Sequence, residues 1–267
     1  MSELILDIES KLREYMPSLI NLLGDKSFGW NNINKIVRNS HEQRVTEYNR
    51  IQHDSRIADK RLILEANLYD VILSARNGDE SAIKLFSYFD LLLQDLNRNL
   101  LPQQKELLST TLKGMLTNTD KNYRNFVGEL SVLNNCLISD FTLVKIEETL
   151  PNGKKIDFHL CHQKSNKSYL VEVVNVHYNY RKQYTDEILA AEIKGKLIDK
   201  IADKTKNNPD TINFYLVPVI WAYRAELNRI CALYEEYINM KDNWIFEPLA
   251  FCSAVHVIWG QDQTDTI

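Results

Sequence analysis

The sequence has no strong charge of either sign, no long apolar run and no signal-peptide pattern, and each absence argues against a class of protein. The formal net charge is −4 over 267 residues, so no overall basic field would attract nucleic acid; such contact would need a local basic surface or a metal ion. No run of about 18 or more apolar residues predicts a membrane span. The N-terminus carries acidic residues early, unlike a signal peptide. We therefore expect a cytoplasmic protein without a membrane partner.

The sequence also lacks paired cysteines. No CxxC motif occurs, and the cysteines are too widely spaced to indicate a zinc site or a disulfide framework. We predict free thiols, in keeping with a reducing compartment. The four positions are Cys136, Cys161, Cys231 and Cys252.

The first part of the chain contains no glycine-rich loop, internal repeat or catalytic motif. Its apolar residues recur at about three- and four-residue spacing, which predicts helices. The helical stretches are 2–24, which Pro17 should kink or split, 41–76, 80–98 and 103–117. We predict an N-terminal helical region at 1–118 and a second domain at 119–267.

The second domain begins with a predicted helix that carries an acidic residue at the edge of its apolar face. At about 100° per residue, Glu129 falls between Leu133 and Cys136 on a helix over 120–137. An inward-leaning glutamate snorkels to solvent or pairs with a neighbouring arginine, which is the commoner case, or it joins other acids around a cation.

Three strand-like segments follow, at 141–149, 156–162 and 169–177. The Pro-Asn-Gly sequence at 151–153 is a strong turn signal between the first two, so we predict an antiparallel meander. The later elements are a helix at 186–206, a strand at 212–221, a helix at 222–240 and a strand-like run at 248–259.

Two of these strands carry a carboxylate where a core strand normally has an apolar residue. Asp157 lies in the second strand, and Glu172 lies in the third, which is apolar on both faces. A lone buried charge is costly unless it is paired or binds a cation. Two structural interpretations therefore stay open: Asp157 as an acceptor of backbone hydrogen bonds after a turn, and Glu172 as the partner of a buried Lys194.

This order of elements resembles the core of the PD-(D/E)xK nuclease superfamily. The resemblance depends on Glu129, on the Gly-Lys-Lys-Ile-Asp-Phe sequence at 153–158 and on the Val-Glu-Val-Val sequence at 171–174, and it covers about 120–221. It implies an α/β fold, with α+β as the alternative: a restriction-endonuclease-like αβββαβ core with a mixed central sheet after the N-terminal helical region.

The sequence departs from the family pattern at one position. The family motif usually ends with a lysine two residues after the acid of the third strand, where this chain has Val174. A lysine on the following helix can substitute in the family. Lys194 is our first choice because it projects from the apolar stripe early in that helix, and Lys200, Lys196 and Lys155 are the alternatives.

The resemblance implies metal-dependent phosphodiester hydrolysis. Asp157 and Glu172 would hold Mg²⁺ or Mn²⁺ through oxygen ligands, with Glu129 completing the shell directly or through water. Lys194 would orient the attacking water and offset negative charge on the phosphate. The implied catalytic residues are therefore Glu129, Asp157, Glu172 and Lys194.

The aromatic and basic loop at 178–186 is the predicted nucleic-acid contact. We expect Tyr180, Arg181 and Lys182, together with Lys196, to contact the backbone or stack on bases, although a solvated, mobile loop would have the same composition. The N-terminal helices would then bind substrate, form a homodimer or hold a protein partner.

Three functional hypotheses follow. The first is a metal-dependent nuclease that acts on DNA in preference to RNA. The second is a catalytically inactive nuclease-fold protein that serves as a binding or assembly module, which the valine at position 174 and the acidic net charge favour. The third is an enzyme of another class whose acids bind a metal for different chemistry.

Overall fold

The computed structural model describes residues 8–24, 29–60, 62–117, 123–180, 182–206, 213–238, 248–252 and 256–259. The chain divides into two compact units. The first comprises the described parts of 1–98, 108–126 and 255–267, and the second those of 99–107 and 127–254.

The first unit is mostly helical. Its helices bury apolar side chains such as Leu12, Phe86, Phe89 and Leu93. The helices that contribute to it are α1 (Ile8–Tyr15), α2 (Pro17–Leu23), α3 (Trp30–His53), α4 (Leu68–Arg76), α5 (Glu80–Asn99), α6 (Pro102–Thr117) and α7 (Tyr123–Ile138). Pro17 begins α2, as expected of a residue without a backbone N–H, so the predicted split of the first helix is confirmed.

The predicted continuous helix over 41–76 is wrong in its centre. Helix α3 ends at His53, where Asp54 adopts an extended conformation, and strand β1 (Leu62–Glu65) follows. β1 pairs antiparallel with β7 (His256–Trp259). Helix α4 then starts afresh, because Asn67 and Asp70 form a reciprocal capping box that satisfies the first backbone N–H groups.

The second unit is built around a mixed sheet, and the predicted α/β fold with a mixed sheet is confirmed at this level. In its described part the sheet has five strands in the order β2-β3-β4-β5-β6. Strands β2, β3 and β4 form the predicted antiparallel meander, whereas β5 and β6 run parallel to β4. The strands are β2 (Phe141–Thr149), β3 (Lys155–His162), β4 (Lys167–His177), β5 (Asn213–Ala222) and β6 (Leu249–Cys252).

Two helices connect or follow the parallel strands. Helix α8 (Asp186–Thr205) links β4 to β5, and α9 (Arg224–Leu233) follows β5 and continues into a π-helical turn at Tyr234–Ile238. The single strand predicted at 248–259 is wrong, because β6 and β7 belong to different sheets.

The two faces of this sheet are covered differently. On one face α7 comes so close that a Cβ at Gly128 would collide with Asn175 Oδ1 and lie 3.0 Å from Val219. On the other face α8 and α9 form an apolar core with the sheet, in which Leu197 of α8 and Leu216 of β5 are fully buried. Glu172 is two positions from Leu170, a β4 residue of this second core, so both side chains point to the face that α8 covers.

All four cysteines are free thiols, as predicted. None of the described helices combines the length and the apolar character that crossing a membrane requires.

Candidate active site

Glu172 is the most deeply buried charged residue of the site. Its position near the middle of β4 leaves it 1% exposed, and two lysines of α8 reach it. Lys200 Nζ lies 2.7 Å and Lys204 Nζ 3.1 Å from the same oxygen, Oε1. The two lysines are one helical turn apart, so they approach the carboxylate from one side of α8.

The second oxygen of Glu172 is placed differently. Oε2 is buried and has no hydrogen-bond partner among the described residues. A buried carboxylate oxygen without a partner is unfavourable, because it has lost water and gained nothing in return. The two lysines thus bind Glu172 through one of its oxygens and leave the other without a partner in the described part of the chain.

Asp157 lies beside Glu172 at the point where β3 and β4 separate. The last pair of their ladder is Phe158 with Val171. Just beyond it, Asp157 Oδ2 accepts a hydrogen bond from the backbone N–H of Val173, at 2.7 Å. The predicted backbone-acceptor role is therefore real, and it coexists with proximity to the second acid. Burial and the charge of Glu172 raise the pKa of Asp157 to about 7.

Glu129 of α7 lies within electrostatic range of the same two acids. Burial, followed by the charges of Asp157, Glu172 and Glu147, raises the pKa of Glu129 to about 8. Glu129, Asp157 and Glu172 are called the carboxylate cluster below. Acids that raise one another's pKa in this way favour either a shared proton or a bound cation.

Lys200 is the lysine of the pair that keeps contact with solvent. Its side chain is 38% exposed, whereas that of Lys204 is 9% exposed. Burial opposes the charge on Lys200, but the hydrogen bond and charge of Glu172 outweigh it, and the pKa of Lys200 is raised. Lys200 is therefore a charged group with both access to solvent and contact with the cluster.

The turn between β2 and β3 holds the end of α8. Asn152 Nδ2 donates to the carbonyl oxygens of Asp203, Lys204 and Lys206 at 3.3, 3.2 and 2.9 Å, which satisfies carbonyls that the end of a helix leaves open. Lys154 pairs with Asp203 at 2.7 Å. The turn that precedes Asp157 and the helix that carries the two lysines are thereby joined.

The structure brings Lys200 and Lys204, rather than Lys194, to Glu172. Lys194 is half-buried on α8 and makes no ion pair with the carboxylate cluster in the described part of the chain. The ammonium of Lys155 pairs with Glu147 at 2.6 Å. Lys204 was not among the predicted candidates. The spacing of four residues between it and Lys200 was the available signal, since residues so spaced share one helix face.

The predicted nucleic-acid contacts lie near the start of α8. Lys182 and Lys196 both pair with Glu192, at 2.9 and 3.4 Å. The ring of Tyr180 packs against that of Tyr223 at 4.5 Å, and its hydroxyl accepts a hydrogen bond from the Tyr223 backbone N–H at 2.5 Å. Arg181 lies outside the described residues.

The residues can be tested against a divalent cation. Over the described ranges, no group of three or more His, Cys, Asp or Glu side chains is close enough to hold a metal ion. Mg²⁺ needs less from the protein, because it is usually bound by one or two carboxylates together with water and substrate phosphate oxygens. Asp157 and Glu172 supply two carboxylates on adjacent strands.

Comparisons with family models, curated proteins and solved structures give no match to this chain.

Proposed function

We propose that the chain is a metal-dependent nuclease that uses Mg²⁺ or Mn²⁺ and acts on DNA in preference to RNA. The observation that carries the proposal is the convergence of Asp157 and Glu172 on adjacent strands, with Lys200 bound to Glu172. The elements that position them follow the order α7, β2, β3, β4, α8, β5, which supports a core of the PD-(D/E)xK type. Lys200 would replace the motif lysine that is missing at Val174.

Each residue of the site has a part in this chemistry. Asp157 and Glu172 would hold the metal ion, which when bound polarises the phosphate and lowers the pKa of a bound water. Lys200 would stabilise negative charge that develops on the phosphate. Glu129, whose pKa is about 8, holds a proton at neutral pH and would release it as positive charge enters the cluster.

A second candidate function is a non-catalytic binding or assembly module. The observation that favours it is the neutralisation of Glu172 by two lysines, which can satisfy a buried acid without any metal ion. In that case the lysines and the acids would form a structural ion-pair network, and divalent cations would not bind.

The experiment is cleavage of single- and double-stranded DNA and RNA with Mg²⁺ or Mn²⁺. The wild type is compared with Asp157→Asn and with Asp199→Asn, a matched control because Asp199 is an exposed acid of α8. The nuclease proposal expects DNA cleavage that needs the metal and falls by about 100- to 1000-fold in Asp157→Asn only. Equal cleavage by the wild type and a folded Asp157→Asn would overturn it.

A further inference from the structure

We propose that Lys204 is a positioning residue, which holds Glu172 and the start of β3 in place and so leaves Lys200 to meet the substrate. The inference rests on the proposed function, because it assigns different parts of the same site to the two lysines. The evidence for it is that the ammonium groups of Lys200 and Lys204, one helical turn apart, have different surroundings.

The ammonium of Lys204 is bound by acceptors of the protein itself. It lies 3.1 Å from Glu172 Oε1 and donates a hydrogen bond to the backbone carbonyl of Lys155. Its side chain is 9% exposed. An ammonium has three N–H donors, and here the acceptors come from two different strands. Lys204 could reach a phosphate only by giving up these partners and uncovering a buried carboxylate.

These two contacts join the strands that carry the acids. Lys155 is the first residue of β3 and precedes Asp157 by two positions, whereas Glu172 lies in the middle of β4. The β3–β4 ladder stops at Phe158 and Val171, so no backbone pairing joins these two strands to each other beside the cluster, although β3 stays paired with β2 and β4 with β5. Lys204 spans this gap from α8, beside the hydrogen bond from the Val173 N–H to Asp157, and so helps to set the distance between Asp157 and Glu172.

The backbone of Lys204 is held as firmly as its side chain. Asn152 donates to the carbonyl oxygen of Lys204 itself, at 3.2 Å, and Lys154 pairs with the preceding Asp203. Lys200 lies one turn earlier, and its side chain is 38% exposed. Of the two lysines, Lys200 is thus the one able to move from Glu172 to a substrate phosphate.

The experiment compares Lys204→Met, Lys200→Met and the control Lys194→Met in the full chain, each first shown to be folded by its thermal transition. Direct Mn²⁺ binding is measured by calorimetry, and cleavage rate is measured over a range of Mn²⁺ concentrations. Lys204→Met is expected to weaken Mn²⁺ binding about 10- to 100-fold, the range for residues that orient metal ligands, while saturating Mn²⁺ restores most of the rate. Lys200→Met is expected to lower the saturated rate about 100-fold or more with little change in Mn²⁺ affinity.

The opposite pattern, or equal effects of the two substitutions, would overturn the positioning role and leave the proposed function standing. A wild type that neither binds Mn²⁺ nor cleaves nucleic acid would overturn the proposed function and this role with it. Should Lys204→Met fail to fold, Asn152→Ala provides the same comparison, because it loosens the end of α8 without removing a charge; an unchanged Mn²⁺ affinity in that variant would count against the proposal.

Acylation of surface amines gives a second arm that does not depend on cleavage. Lys204 of the wild type should react at least about tenfold more slowly than Lys200, since one ammonium is buried and the other has access to solvent. Equal labelling rates would contradict the division of roles, whether or not the protein is a nuclease.

Discussion

The two halves of α8 carry the same residue type and use it differently. In the N-terminal half, Glu192 pairs at the surface with Lys196, which lies just past the midpoint of the helix, at 3.4 Å. In the C-terminal half, Lys200 and Lys204 converge on the buried Glu172. α8 returns along the sheet between the parallel strands β4 and β5, so its C-terminal half is the part that reaches Glu172. Position along the sheet, rather than residue type or helix face alone, decides which lysines join the site.

The largest expected effect comes from removing the carboxylate that the C-terminal half binds. Glu172→Gln leaves Lys204 buried without its counter-charge, and breaking a buried pair in this way costs about 3–5 kcal/mol. Glu192→Gln breaks surface pairs in the other half and should cost less than about 1 kcal/mol. Urea unfolding of both variants measures the difference. Similar losses in the two variants would show that the halves of α8 do not differ as described.

The pH dependence of stability tests the buried site to which the C-terminal half of α8 binds, because two acids of the carboxylate cluster titrate near neutral pH. The pKa values of Asp157 and Glu129 are raised from 3.8 and 4.5 to about 7 and about 8. The folded protein therefore retains protons that the unfolded chain has already released. Without a divalent cation, the contribution of these two groups to the free energy of unfolding should be greatest below about pH 4. It should fall as the pH rises to about 8.

Glu129→Gln tests this pH dependence and its origin. The substitution removes one of the two titrating groups and should make the fall towards pH 8 shallower, as followed by urea unfolding in the presence of EDTA. Cation binding favours the ionised acids, so Mn²⁺ affinity should rise over the same pH range. A stability that rises between neutral pH and pH 8 without metal would contradict the burial of protonated acids.

The smallest expected effects concern the two ends of α8. Thr185→Ala removes the N-terminal cap, in which Thr185 Oγ1 accepts from the Ile188 backbone N–H at 3.4 Å, and should cost about 1 kcal/mol. Asn152→Ala removes the side chain that binds the C-terminal carbonyls and should cost about as much. Only Asn152→Ala should also weaken Mn²⁺ binding, since that end of α8 holds Lys204. Loss of Mn²⁺ affinity in both variants would indicate a general loosening of the helix.

The order of elements in the second unit could be predicted because its signals are local. The apolar run of β4 and the Pro-Asn-Gly turn define strands and a hairpin without reference to the rest of the chain. The identity of the lysine could not be predicted in this way. A helical wheel gives the direction of Lys194 and Lys200 around the axis, but not how far along the sheet each one lies, and that distance separates them.

The first unit shows a different reason for failure. The sequence of 41–76 keeps a helical spacing throughout, so it gives no local sign of β1. That strand forms by pairing with β7, which lies far away in the chain. The capping pair Asn67 and Asp70, spaced as a helix start requires, was the local signal of a new helix. Long-range strand pairing overrides local periodicity at this point.

The most direct test of the account is calorimetric titration of the wild type with Mn²⁺, beside Asp157→Asn and the control Asp199→Asn. The proposed metal site predicts one binding event in the wild type and in Asp199→Asn, and its loss in Asp157→Asn, because Asp157 and the unpartnered oxygen of Glu172 would supply the ligands. Absence of binding to the wild type, or binding that Asp157→Asn leaves unchanged, would contradict the proposed metal site and favour a structural ion-pair network.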